Sequence, residues 1–76
     1  MYTKKKFGQE LEINLGKGLN YKYISDWAFK LYIEHGLEFE NGLDHYVLTL
    51  MAMQEGPEFL LSKEELKSLA EKLIHL

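Results

Sequence analysis

From Ser62 onward, apolar residues recur at the spacing of one helical face. Leu66, Leu69, Ala70, Leu73 and Ile74 stand at i, i+3, i+4, i+7 and i+8, which gathers them on one side of a helix. Ser62-Lys63-Glu64-Glu65, just ahead, has the form of a capping box. In that motif the Ser hydroxyl accepts from the third helical N–H while the Glu carboxylate accepts from the Ser N–H. The pattern predicts a helix over 62–75. Gly56-Pro57 cannot continue a helix, because Pro lacks a donor and clashes with the preceding turn. The run from Leu43 to Glu55 is therefore read as a separate helix over 42–55, opened by Asn41-Gly42. Leu43, Tyr46, Val47 and Leu50 share its main face, while Leu48 and Ala52 point elsewhere, with Met51 between. Met51 and Met53 suit core filling, or an adaptable surface, since Met repacks at low cost.

The stretch Tyr23–Gly36, YISDWAFKLYIEHG, predicts a helix over 20–35. Asn20 is a suitable N-cap, with Ser25 as the alternative, and Gly36 after His35 is a natural stop. At 100° per residue, Ile24, Trp27, Ala28, Leu31 and His35 form the main apolar face. Phe29 and Ile33 form a second apolar stripe roughly opposite. Asp26, Lys30 and Glu34, beside Tyr23, make a polar ridge between them. A helix apolar on two sides needs two neighbours. The simplest arrangement wraps it with the other three helices; otherwise Phe29 and Ile33 are left for another chain.

The N-terminal segment reads two ways. Phe7, Leu11 and Leu15 share a helical face, yet Leu11-Glu12-Ile13-Asn14-Leu15 alternates like a half-buried strand. With Gly16-Lys17-Gly18 as a turn, Tyr21 and Tyr23 would form the return strand of a hairpin. A helix over 3–15 is preferred, because two strands alone make a marginal sheet. The expected fold is all-α, a single domain spanning 1–76, built as a compact four-helix bundle with its second helix central. The alternative is α+β, an N-terminal β-hairpin followed by three helices.

At 76 residues with 46% apolar content, the chain is one small domain with enough apolar material for a core. A chain of this size buries only roughly 60% of its unfolded surface. It contains no Cys, so neither disulfides nor Cys-based zinc sites assist folding. No apolar run reaches the ~18 residues of a membrane span, and Phe7-Gly-Gln-Glu stands where an export signal needs an apolar stretch. The expectation is a cytoplasmic protein with no membrane partner.

The net charge of −3 is uneven along the chain. Residues 1–25 hold five Lys against Glu10 and Glu12, a net of +3. Residues 26–58 hold seven acids against Lys30 alone, a net of −6. Phosphate binding needs the opposite sign, so direct nucleic-acid binding is not expected. Lys4-Lys5-Lys6 reads as a solvated basic run.

Sites for chemistry are sparse. His35, His45 and His75 are scattered, with no i, i+4 pair and no HExxH, so no metal site is expected. Aligning Gly42 with the sixth position of a calcium loop puts Leu37, Phe39 and Leu48 where oxygen ligands belong, so that reading fails. Gly16-Lys17-Gly18 lacks the spacing and the Lys-Ser/Thr ending of a phosphate loop. Ser25, Asp26 and His45 make a nucleophile set only on paper, because any chain with three His permits one. The expectation is a non-enzyme without cofactors. The acidic middle is the remaining signal. With helices two and three antiparallel, Glu34, Glu38, Glu40 and Asp44 gather at one end, an arrangement that speeds association with a basic partner.

Several of these segments together resemble a known family. ISDWA at 24–28, an acidic turn, a Leu/Met-rich helix, EGPEF at 55–59 and SKEELKSLAEKL at 62–73 resemble the small bacterial immunity proteins, in particular the colicin D immunity-like group. The likeness runs over residues 20–75. It implies a small, helical, acidic, cytoplasmic protein that binds a basic nuclease domain of a cognate toxin and blocks its active site. By that resemblance Asp26, Glu34, Glu38, Glu40 and Asp44 are the toxin contacts. The alternative function is a small structural or regulatory module that self-associates through Phe29, Ile33 and the Met face.

Overall fold

Thr3 opens the first helix: its side-chain oxygen accepts from the Lys6 N–H at 3.0 Å, satisfying one of the orphan donors of a helix start. The computed structural model describes residues 1–76. It contains four α-helices: α1 (Lys4–Gly16), α2 (Tyr21–His35), α3 (Leu43–Met51) and α4 (Lys63–Ile74). Short 3-10 turns cover Gly36–Glu38, Ala52–Gln54 and Pro57–Phe59. There are no strands, only one isolated parallel bridge between Tyr2 and Phe39. The fold is all-α.

The β-hairpin alternative is overturned by the side chains that α1 buries. Phe7, Leu11 and Leu15 are buried on one face, whereas Ile13, which alternation would bury, is 62% exposed. Gly8 permits a close approach to α4. A Cβ there would lie 2.8 Å from the Ala70 carbonyl oxygen and 3.0 Å from the Leu73 Cβ. Helix α1 packs along α4, and α2 packs along α3. The two pairs meet over one core that includes Phe7, Leu11, Ile24, Leu31, Leu43, Val47, Leu50, Leu66 and Leu73.

The capping box of α4 forms as predicted: the Glu65 N–H donates to Ser62 Oγ at 3.1 Å, and the Ser62 N–H donates to Glu65 Oε1 at 2.9 Å. Asn20 caps α2 by accepting from the Tyr23 N–H at 3.1 Å. Ser25 is not a cap. It is buried, and its hydroxyl donates to the Tyr21 carbonyl at 2.8 Å. Nor does Gly36 stop the helix through a left-handed residue. Its φ of −55° is right-handed, and the chain runs on into the 3-10 turn. Left-handed backbone occurs instead at Gly18 and Gly42, with φ of 103° and 90°, a region that side chains with a Cβ rarely adopt. Helix α3 ends at Met51, earlier than predicted, and the following 3-10 turn carries Met53 into the core at 3% exposure.

Helix α2 is not wrapped on all sides. Its inner face buries Ile24, Ala28 and Leu31, and half-buried Trp27 packs against the core. Its second stripe faces solvent, with Phe29 51% and Ile33 65% exposed. With four helices arranged as two pairs, no third neighbour remains for that side.

Candidate protein-docking face

Helices α2 and α3 run antiparallel, which fixes what lies at each end of their outer side. At one end Gln54 Nε2 donates to Asp26 Oδ1 at 3.1 Å, tying the start of α2 to the turn after α3. A shallow cleft of about 370 Å³ adjoins this end, lined by Phe29, Leu48, Met51, Ala52, Gln54 and Glu55. At the other end a cleft of about 330 Å³ is lined by Tyr32, Ile33, Leu37 and Phe39 together with Glu40, Asn41 and Asp44. Leu48 is 44% exposed and Leu37 wholly so. Neither cleft is lined by a Lys or His, though Lys4 Nζ lies beside Gly42 at the rim of the second.

The anticipated acidic residues are thus divided by the fold. Asp44 is exposed in the first turn of α3 and lines the second cleft. Asp26 is exposed and held by a neutral amide, so its charge is not offset by an ion pair. Glu34 lies on the polar ridge, 4.0 Å from Lys30 Nζ, an exposed i, i+4 pair of the kind that contributes ~0.3–0.5 kcal/mol.

Glu38 and Glu40 have partners inside the molecule. Glu38 Oε2 lies 3.0 Å from His35 Nδ1, and this hydrogen bond, with the imidazole charge, holds the Glu38 carboxyl below the usual range. Glu40 Oε1 accepts from the Lys4 N–H at 2.8 Å, so it caps α1 across the fold. Between these two acids the Tyr2 N–H donates to the Glu38 carbonyl, and the Glu40 N–H donates to the Tyr2 carbonyl, each at 2.8 Å.

The Tyr2 ring stacks on His35 with centroids 5.6 Å apart, and Lys6 Nζ sits 5.1 Å from its centroid on the face of the ring. Burial, reinforced by the hydrogen bond from its hydroxyl to Glu10, pushes the Tyr2 phenol well above its ordinary range. The first turn of α1 and part of the acidic middle therefore meet within one molecule, through the Lys4 N–H, the Tyr2 backbone and the Tyr2 ring.

The helical period already sets Leu48 apart from the main face of α3, whereas the exposure of Leu37 and Tyr32 on this side is visible only in the fold. Leu37 carried no periodic signal because it falls outside the helix, in the 3-10 turn.

The paper nucleophile set does not form a site. The Ser25 hydroxyl is committed to the backbone of its own helix and buried, while His45 is exposed and meets Tyr46 edge-on. No three His, Asp or Glu side chains converge as metal ligands. No helix is long and apolar enough to cross a membrane. In comparisons with protein-family models, curated proteins and solved structures, nothing matches this chain.

Proposed function

We propose that this chain is a non-enzymatic protein-binding module, an immunity-type inhibitor that covers a basic domain of a toxin, such as a nuclease, with the outer side of α2 and α3. The observation that carries the reading is the union, on that side, of exposed Phe29, Ile33 and Leu48 with Asp26, Asp44 and Glu55, and no base in either cleft lining. Acidic groups around an apolar patch steer a basic partner into place and reject acidic ones. The apolar patch then supplies the burial that slows release. The resemblance over residues 20–75 points the same way. Glu38 and Glu40 act chiefly within the molecule in this reading, and Asp26, Asp44 and Glu55 meet the partner.

Self-association through the same stripe is the second reading, favoured by the exposure of Phe29 and Ile33. Charge weighs against it, because a twofold interface apposes the same patch of both copies and would set acid against acid.

Affinity capture from native cells at low salt, followed by mass spectrometry, tests the inhibitor reading. The expected result is a basic protein that is released by salt, is captured far less by Asp44→Lys, and loses its toxic activity when the purified chain is added. Equal capture by Asp44→Lys, or a captured protein whose activity is unaffected, overturns it.

A further inference from the structure

The outer side of α2 and α3 has the shape of a bundle surface from which one helix is missing. Phe29 on α2 faces Leu48, Met51 and Ala52, at i, i+3 and i+4, across one cleft, and exposed Ile33, one turn further along α2, lines the second cleft with Tyr32, Leu37 and Phe39. A groove between two antiparallel helices accepts the side-chain ridge of a third helix. Helix α2 is apolar on two sides, and the fold supplies a neighbour for only one of them. From Asp26 to Leu37 the side runs roughly 16 Å along a helix axis, about three turns, which matches anchors at i, i+4 and i+7 of an incoming helix. Both ends of this path carry exposed acids, Asp26 and Glu55 at one end and Asp44 at the other.

From this placement we infer that the α2–α3 groove receives a basic amphipathic helix of the partner protein, its apolar stripe against Phe29, Ile33 and Leu48 and its Lys or Arg residues over the acidic ends. The inference rests on the protein-binding reading above and specifies the kind of segment bound. The sign of the rim decides the occupant. A second copy would bring the Asp26–Glu55 end of one molecule against the Asp44 end of the other, and an acidic helix would meet the same repulsion, whereas a basic helix gains at both ends. An extended strand is disfavoured because the groove offers no free sheet edge on which it could pair.

The probe is a synthetic helical peptide of Leu and Lys with a single apolar stripe, four to five turns long, titrated into isotopically labelled protein. A Leu/Glu peptide of the same pattern serves as the control. The expected result is shift changes confined to Phe29, Ile33, Leu48, Met51 and Asp44, weakened several-fold by raising NaCl to about 0.5 M, with no response to the Leu/Glu peptide. Phe29→Ser with Leu48→Ser replaces two exposed side chains, so the variant is expected to keep its helical spectrum and melting temperature. It should lose about thirtyfold or more in affinity, the scale of a buried apolar anchor. Shifts mapping to α1 and α4, equal binding of the Leu/Glu peptide, unchanged affinity in the double variant, or a concentration-dependent dimer that shifts the same resonances overturns the inference. The two proposals fail separately. A native basic partner inhibited equally well by the double variant removes the groove but leaves the inhibitor. Docking of the peptide in the groove without inhibition of any captured toxin removes the inhibitor but leaves the groove.

Discussion

The indole of Trp27 lies flat against the ring of Phe7, centroids 5.1 Å apart and planes 7° from parallel. The contact joins α2 to α1, two helices that otherwise pack mainly on other partners. Phe7 is wholly buried, while Trp27 keeps one part at the surface.

Phe7→Ala should therefore destabilise the protein by ~3–5 kcal/mol, the cost of deleting a buried aromatic, and expose the indole. At 76 residues the whole stability is about 4–11 kcal/mol, so this one change removes a large fraction of it. Urea unfolding followed by Trp27 fluorescence checks both effects, since the native emission should shift to the red.

Gly8 and Gly16 should respond oppositely to the same substitution. A Cβ at Gly8 meets the Ala70 carbonyl at 2.8 Å, backbone that cannot swing aside, whereas nothing lies within 4 Å of a Cβ at Gly16. Gly8→Ala is expected to cost ~1–3 kcal/mol through overpacking between α1 and α4. Gly16→Ala is expected to raise stability by ~0.4–1 kcal/mol by restricting the unfolded chain. Paired denaturation midpoints give the signs.

The capping box of α4 predicts a moderate loss for Ser62→Ala. The side chain accepts from the Glu65 N–H at 3.1 Å, and removing such a cap costs ~0.5–2 kcal/mol. Glu40→Ala should cost a comparable amount, because the Lys4 N–H loses a charged acceptor at the positive end of α1. If Glu40 served only a partner, this variant would melt like the wild type.

Acid should act on the His35–Glu38 contact in a definite direction. The Glu38 carboxyl is held low by the hydrogen bond to His35, so the folded state favours its ionised form. Its stabilising share is present in full above the ordinary Glu range and is lost as pH falls through the lower folded value. Between about pH 6 and about pH 3 the wild type should therefore lose more melting temperature than Glu38→Gln. Identical slopes for the two proteins would show that the contact adds nothing. Because Glu38 is exposed, added salt should shrink the difference.

The helices were legible in the sequence because their signals are local. A capping box, an Asn cap, a Gly-Pro break and a 3.6-residue apolar period each act within a few residues, and they set α1, α2 and α4 to within a residue or so of the predicted bounds. Where two local patterns competed, over Leu11–Leu15, the arbiter was burial against α4, which favoured Phe7, Leu11 and Leu15 over Ile13. The 3.6-residue period of α2 alone places Trp27 on the core face and Phe29 and Ile33 on another.

Only the tertiary structure decided how the helices pair, and with it the fate of each charge. Pairing α1 with α4 and α2 with α3 leaves the outer side of α2 uncovered. It also brings Tyr2 between Glu38 and Glu40, 36 or more residues away. Composition along the chain could show that a basic start precedes an acidic middle. Only the fold could show that Lys4 and Glu40 meet, because contacts between distant segments depend on which apolar faces find each other, and that choice is made by the whole core at once.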